Sequence, residues 1–305
     1  MRWGKNFVDE RNWSAYNEEL VLRGEFLLEL SWVNSWDKET REMNKKKVGK
    51  PFVFPDSLIK MQAVWNQYLS FRAIEGLTRQ LVEFANLPDY NDYTTAFRRI
   101  KTLDTRIELP KTENFSLAFD GTGMKINDGG EYRHDHYGRK KRRWIRLKVA
   151  VDVKTKELVA SSVEFAGDGL SEAETAQKQI DEIYRQGRGI SRFFGDGGYD
   201  KFSLFNFLEK LKIKCSIPVQ KNARICMEKS PRRSLEVLER RRLGYKKWRE
   251  EKNYGLRWAV EGYYSALKRV FGETTKSKHK ETRVKEVERR VWAFEMMRRY
   301  AKISV

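Results

Sequence analysis

The run Phe115-Ser-Leu-Ala-Phe119 leads into Asp120 and then Gly121-Thr122-Gly123. An apolar stretch that ends on a carboxylate and turn-forming residues reads as a β-strand with an acid at its carboxyl end. The run Ile190-Ser-Arg-Phe-Phe194 repeats the pattern and leads into Gly195, Asp196, Gly197, Gly198 and Tyr199. Beside such small residues, a metal ion or a phosphate can approach the backbone. Either aspartate alone is an ordinary turn residue, and the repetition makes them a pair. Working outward, strands are expected at 115–126, 143–153 and 157–166, then a helix over Ser171 to Arg185 and the strand into Asp196. A helix over Ser203 to Leu211, a strand at 213–219 and a helix through Glu261 follow. This is an α/β order, a three-stranded meander and then alternating helices and strands. It predicts a mixed sheet with flanking helices, in which the strands bearing Asp120 and Asp196 are neighbours although 76 positions separate them.

The last of these helices carries a third acid between two cations. Tyr254, Arg257, Glu261 and Lys268 stand in the order Y-x2-R-x3-E-x6-K. At about 100° per residue they fall at roughly 0°, 300°, 340° and 320°, one stripe about 60° wide on a single α-helix. A carboxylate bracketed by Arg and Lys serves commonly as a solvated salt bridge. Beside two strand-end aspartates it has a second use, because three carboxylates can hold two divalent cations, about 3.5–4 Å apart, around one scissile phosphodiester. Arg suits bidentate phosphate contact and Lys point-charge contact. Tyr254 either stacks or hydrogen-bonds, and Thr122 is expected to support the Asp120 turn.

Asp120, Asp196 and Glu261, with Tyr254, Arg257 and Lys268, resemble the DDE triad and YREK signature of prokaryotic insertion-sequence transposases. The resemblance covers roughly residues 111 to 300, and Asp-Gly-Thr-Gly and Asp-Gly-Gly-Tyr-Asp are similar to the forms that family carries around its two aspartates. Together with the element order it implies an RNase H-like catalytic domain over 111–305. It implies that Asp120 and Asp196 are shared metal ligands and that Glu261 completes one metal's shell. The expected cofactor is Mg²⁺, with Mn²⁺ as a substitute, since magnesium favours a few carboxylates plus substrate phosphate. The reaction implied is cleavage at the terminal inverted repeats of an insertion sequence and strand transfer into a target. Tyr254, Arg257 and Lys268 are then the DNA-binding residues that hold phosphates at the transposon end, and the active complex is expected to be a homodimer. Some relatives carry a large β-rich insertion before the glutamate. Here only 221–250 is free for it, a short basic stretch resembling the compact subgroup.

Residues 1–110 read as a separate, mainly α-helical domain. The apolar spacing is helical from 14 to 106, with a break at 44–56. Phe71 to Asn86 reads as an amphipathic helix, Leu87-Pro-Asp-Tyr-Asn-Asp as a turn, and Tyr93 onward as a second helix with Asp92 as N-cap. That second helix bears Arg98, Arg99 and Lys101, the layout of a helix-turn-helix reader of double-stranded DNA. The charge agrees: 62 Lys plus Arg against 43 Asp plus Glu leaves +19, with a pI near 9.8. Such an excess points to a polyanionic partner. Further basic segments, Arg139–Arg143, Arg232–Arg233 with Arg240–Arg242, and Lys276–Lys280, are expected along the DNA backbone.

Other features are excluded or assigned to the core. No stretch approaches 18 apolar residues and no signal-peptide core follows Met1, so the expected location is cytoplasmic, beside the nucleoid, with no membrane partner. Cys215 and Cys226 form no CxxC pair, and Cys215 is expected in the core. His134 and His136 read as part of a DNA-facing loop at 127–142. Val287, Val291, Phe294 and Met297 are the expected apolar stripe of a last helix. Two other functions compete: a catalytically silent, transposase-derived DNA-binding protein, and an RNase H-like nuclease that cuts without joining. The complete acid triad argues against the first, and the DNA-reading N-terminus with the Tyr/Arg/Lys stripe against the second.

Overall fold

The computed structural model describes residues 12–127 and 144–303. The expected loop with His134 and His136, and the basic run Arg139–Arg143, lie outside the described residues. The chain divides into two compact units, one of residues 1–105 with 289–305 and one of residues 106–288. The sequence boundary near 110 sits close to this division. Segment 289–305 was expected in the catalytic domain and instead clusters with the first unit.

The first unit is helical: α1 (Trp13–Glu25), α2 (Trp36–Asn44), α3 (Asp56–Trp65), α4 (Phe71–Phe84) and α5 (Tyr93–Lys101). Its core gathers Trp36, Leu58, Met61, Trp65, Ile74, Leu81 and Leu87. Inside it, Gln62 and Asn91 exchange amide hydrogen bonds of 2.6 and 3.1 Å, and Gln62 Nε2 also donates to Thr78 Oγ1. Each buried amide thereby finds a partner, as burial requires. The bonds tie α3 and α4 to the turn before α5. Asp92 caps α5 as expected, accepting from the Thr94 and Thr95 amides at 2.8 and 2.9 Å. The last helix, α10 (Lys280–Ile303), buries Val287, Val291, Phe294 and Met297. The side chains of its second half explain why 289–305 belongs here. Tyr300 meets Phe26 with ring centroids 5.3 Å apart, and Arg23 lies over Phe294.

The second unit is built on a six-stranded sheet of order β3-β2-β1-β4-β5, with a short β6 beside β1. The strands are β1 (Asn114–Ile126), β2 (Trp144–Asp152), β3 (Leu158–Phe165), β4 (Gly189–Phe194), β5 (Lys214–Ser216) and β6 (Thr274–Thr275). The first three form an antiparallel meander, while β4 and β5 join parallel to β1. With α6 (Glu172–Arg185), α7 (Phe202–Lys210), α8 (Pro231–Glu251) and α9 (Trp258–Phe271), this is the RNase H-like arrangement that the element order predicted. Stretch 221–250 forms no β-domain. It is a turn segment and then α8, which kinks at Gly244 (φ 72°, ψ 164°).

Burial explains the strand pairing. Phe115, Leu117 and Phe119 alternate along β1 into a core with Ala176, Ile180 and Ile183 of α6 and Leu204 and Leu208 of α7. Phe119 stacks on Phe193 of β4 with centroids 4.4 Å apart, and Phe193 meets Tyr199 edge-on at 5.5 Å. Among the described residues no helix is long and apolar enough to cross a membrane.

Phe193 is fully buried between these two rings, so Phe193→Ala is expected to destabilise the second unit by about 3–5 kcal/mol. Urea unfolding monitored by tyrosine and tryptophan fluorescence reads this. A loss below about 1 kcal/mol would mean that the aromatic stack does not hold β4 against β1.

Candidate active site

The parallel register of β1 and β4 pairs Ala118 with Phe194. Asp120 and Asp196 each lie two residues further on, so two acids distant in sequence come side by side, Asp120 midway along β1 and Asp196 just past the end of β4. Asp120 Oδ1 accepts from the Gly121 amide at 2.8 Å, and Asp196 Oδ1 accepts from the Gly198 amide at 2.8 Å. Each carboxylate is oriented by a backbone amide just after it, but only Gly198 lies in a turn: the turn expected after Asp120 is not formed, and Gly121-Thr122-Gly123 continue β1 opposite Lys148, Leu147 and Arg146. Gly195 has a separate reason: a Cβ there would come within 2.7 Å of the Phe193 ring and 2.8 Å of the Tyr199 ring.

The third acid reaches this pair through a cation. Arg257 Nη1 lies 3.4 Å from Asp120 Oδ2, and its Nη2 pairs closely with Glu261 Oε1. The guanidinium thus bridges Asp120 and Glu261. Tyr264, one turn along α9, donates its hydroxyl to the Asp120 carbonyl at 2.6 Å and lies 3.1 Å from the Leu147 carbonyl, fixing α9 on β1 and β2. Lys268 Nζ donates to the Gly123 carbonyl at 3.1 Å and lies 3.6 Å from Glu273. Arg257, Glu261 and Lys268 therefore all face the carboxyl half of β1.

The single-helix stripe expected for Tyr254 to Lys268 is corrected in its first turn. Asn253 takes a left-handed conformation (φ 49°, ψ 35°), Tyr254–Arg257 form a 3-10 turn, and α9 starts at Trp258. At the break, the Tyr254 ring lies against Trp248 of α8 at 5.4 Å, and the Arg257 guanidinium lies over the same ring at 5.8 Å. Tyr254 is thereby half-buried beside Arg257.

Several cations expected along DNA turn inward instead. Arg99 donates to Asp56 at 2.6 Å and to the Phe54 carbonyl at 3.2 Å, over the Phe52 ring, while Arg98 is exposed. Arg233 is buried in a two-point pair with Asp200, at 2.5 and 2.9 Å, and Arg241 donates to the Ala223 carbonyl at 2.8 Å. Arg240 binds the Val219 carbonyl. These side chains close loops over apolar surface, where partners distant in sequence present oxygens that no local pattern reveals.

Sequence reading passed over Lys148 and Glu172. Lys148 sits opposite Gly121 on β2 and is 2% exposed. It pairs with Glu164 and donates to the Leu170 carbonyl at 2.6 Å and Thr175 Oγ1 at 2.8 Å. A lysine inside Trp144-Ile-Arg-Leu-Lys-Val-Ala-Val151 was the available signal. Glu172 begins α6 behind a Ser171/Glu174 capping box.

Electrostatics mark Asp120. Burial first, then the charges of Asp196 and Glu172, push its carboxyl up to about 6, against the Gly121 amide and Arg257, which lower it. Tyr199 and Tyr264, buried beside the same acids, are also raised. As for a divalent metal, the donors fit by chemistry: hard carboxylate oxygens on aspartates whose neighbouring charges resist ionisation of Asp120. As they stand, no three His, Cys, Asp or Glu side chains among the described residues converge enough to hold an ion. Glu261 in particular is held by Arg257.

An RNase H-like sheet with one acid midway along its central strand, a second just past the adjoining parallel strand, and a third on a helix packed over them defines a class of nucleic-acid-processing enzymes. A family model described as Transposase DDE domain matches residues 116–289, and a second of the same description matches 21–129. The chain belongs to the DDE transposase family. Among solved structures, a chain of the Drosophila P element transposase strand transfer complex aligns at 10% identity and a TM-score of 0.36, over 92% of this chain and 87% of that one. A chain of the simian T-cell lymphotropic virus intasome, in complex with PP2A regulatory subunit B56 gamma, aligns at 16% identity and a TM-score of 0.24, over 56% of this chain. The present chain spans 58% of the length of that intasome chain.

The Asp120 shift has a stability consequence. Its folded value of about 6 exceeds the ordinary 3.8, so between these values the folded protein keeps a proton that the unfolded chain has lost. Stability is therefore unaffected below about pH 4 and falls as pH rises through 6. In metal-free buffer, Asp120→Asn is expected to match wild type near pH 4 and to exceed it at pH 8, by at most about 3 kcal/mol. Equal thermal midpoints at pH 8 would remove the strain from Asp120.

Proposed function

We propose that this transposase binds the terminal inverted repeats of an insertion sequence, cuts the DNA there and joins the freed 3′ end to a target. Asp120, Asp196 and Glu261 form its catalytic and metal-holding set. The observation that carries this reading is the Arg257 bridge between Asp120 and Glu261, which joins an acid of β1 to a helix acid 141 residues further along the chain. Bound divalent cations, Mg²⁺ or Mn²⁺, supply an activated oxygen nucleophile and stabilise the leaving oxygen of an in-line displacement.

The chain's own groups do the rest. Asp120 and Asp196 are aimed by the Gly121 and Gly198 amides. Glu261 becomes available when Arg257 takes another anion, and a DNA phosphate suits its two-point fork. Lys268, beside Glu273 at the end of β1, offers a second cation to the transposon end. Tyr254 buttresses Arg257 from below and acts on DNA through it. Arg98 on α5 faces solvent and supports the helix-turn-helix reading, whereas Arg99 holds α5 to Asp56. The proposed active complex is a homodimer, as joining two ends requires, working on DNA in the cytoplasm.

Cleavage and joining of a labelled DNA carrying the element's flanking repeats tests the reading. With Mg²⁺, wild type is expected to yield joined products. Asp120→Asn, Asp196→Asn and Glu261→Gln should lose on the order of 10²-fold or more of the rate while keeping DNA binding. Cleavage without joining would make the protein a nuclease, and tight binding without chemistry in wild type a silent DNA-binding protein.

Arg257→Lys separates charge from geometry. A point charge does not span two carboxylates or grip phosphate in two places. The substitution is expected to weaken binding of a pre-cut transposon end about tenfold while global stability stays within about 1 kcal/mol. Wild-type end affinity, read by fluorescence anisotropy, would refute the phosphate role.

A further inference from the structure

Glu236 lies on the first half of α8, 1% exposed, and grips Trp248 on the second half and Lys252 just past its end. Its Oε1 accepts from the indole Nε1 of Trp248 at 2.6 Å, and its Oε2 pairs with Lys252 Nζ at 3.1 Å. Trp248 stands 12 positions and Lys252 16 positions further along the chain. On a straight α-helix, at about 1.5 Å per residue, these partners would lie about 18 and about 24 Å away. The kink at Gly244 folds the second half back and brings both within reach. Its backbone angles (φ 72°, ψ 164°) are those of a glycine. A Cβ there would meet no atom within 4 Å, so conformation and not space selects the residue.

Beyond this clamp the chain runs directly to the site. Trp248, wholly buried, lies against the Tyr254 ring, and the Arg257 guanidinium lies over that ring. Lys252 precedes the left-handed Asn253 and the 3-10 turn Tyr254–Arg257. The Lys252 carbonyl accepts from Ser216 Oγ of β5 at 2.9 Å, which fastens the joint between α8 and α9 to the sheet. One carboxylate therefore holds both the ring on which Tyr254 rests and the residue two positions before Tyr254.

Packing alone does not call for a charge at Glu236. A buried indole N–H needs one acceptor, which an amide oxygen would supply. A buried carboxylate is costly to desolvate unless it is paired. Lys252 is that pair, and Glu239 holds it from a second side at 2.6 Å. The ionic half of the clamp thus acts on the joint that leads into Tyr254 and Arg257.

We propose that Glu236 is a positioning residue for binding of the DNA end. Through Trp248 and Lys252 it sets Tyr254, and so aims the Arg257 guanidinium at Asp120, Glu261 and an incoming phosphate. The proposal rests on the phosphate role of Arg257 proposed above. It gives the Gly244 kink a purpose as well, since on a straight helix Glu236 would meet neither partner.

A double-mutant cycle tests it, with affinity for a pre-cut transposon end read by fluorescence anisotropy and thermal midpoints measured alongside. Glu236→Gln keeps an acceptor for Trp248 and removes the charge that faces Lys252. In the wild-type background it is expected to weaken end binding about threefold or more. In the Arg257→Lys background the same substitution should change affinity by less than about twofold, because the group it positions is gone. A merely structural defect would cost the same in both backgrounds, and that result overturns the proposal. Wild-type affinity in Glu236→Gln with weakened binding in Arg257→Lys also overturns it, and leaves the phosphate role intact. Wild-type affinity in Arg257→Lys would overturn that role and the proposal together. Should Glu236→Gln fail to fold, Trp248→Phe, which keeps a ring against Tyr254 and removes the N–H, goes through the same cycle under the same criteria.

Discussion

The parallel pairing of β1 with β4, clamped by the stacked rings of Phe119 and Phe193, is the constraint on which the site depends. Parallel strands meet only through a crossover, and here the crossover contains β2, β3 and α6. The chain must therefore complete the meander and α6 before Asp196 can come beside Asp120. A slip of one residue would turn Asp196 to the opposite face and drive an apolar ring out of the core. The aromatic stack makes that slip costly, so core packing and catalytic geometry are specified by the same side chains. Everything else at the site arrives on elements that pack against this strand pair: Glu172 on α6, and Arg257, Glu261, Tyr264 and Lys268 on or just before α9.

Charge is distributed in opposition to this centre. The protein as a whole carries +19, which draws in a polyanion over long range. Around the middle of β1, however, Asp120, Asp196 and Glu172 gather negative charge that repels a phosphodiester. The two fields are compatible where cations stand between the acids and the substrate. Arg257 performs part of that neutralisation within the protein, with Asp120 on one side and Glu261 on the other. Burial, more than the neighbouring acids, still keeps the Asp120 carboxyl raised against it.

Much of this was legible in sequence because it is local. Strand-Asp-Gly at two places, the helix after the third strand and the acid between Arg257 and Lys268 are short patterns with one physical reading each. What escaped is non-local. Nothing near Arg99, Arg233 or Arg240 announces that Asp56, Asp200 or the Val219 carbonyl waits for it. The 3-10 turn at Tyr254–Arg257 sits against Trp248, a contact that helical spacing does not contain. Segment 289–305 reads as the end of a catalytic helix, yet its aromatic faces belong with Phe26 and Arg23.

On the proposed reading, Arg257 is the point at which metal and DNA become one problem. An arginine stays protonated at any physiological pH, so its hold on Glu261 is broken by exchange of partners and not by titration. A divalent cation gives the carboxylates a stronger counter-ion, but leaves the guanidinium half-buried without one, which is costly. A DNA phosphate gives the guanidinium a two-point partner, but leaves Asp120 and Glu261 uncompensated. Only both arrivals together keep every charge paired. On the proposed reading, this coupling ties full assembly of the metal site to the presence of a transposon end. An active centre of that kind stays incomplete until the correct substrate has docked, which confines cleavage to the DNA it recognises.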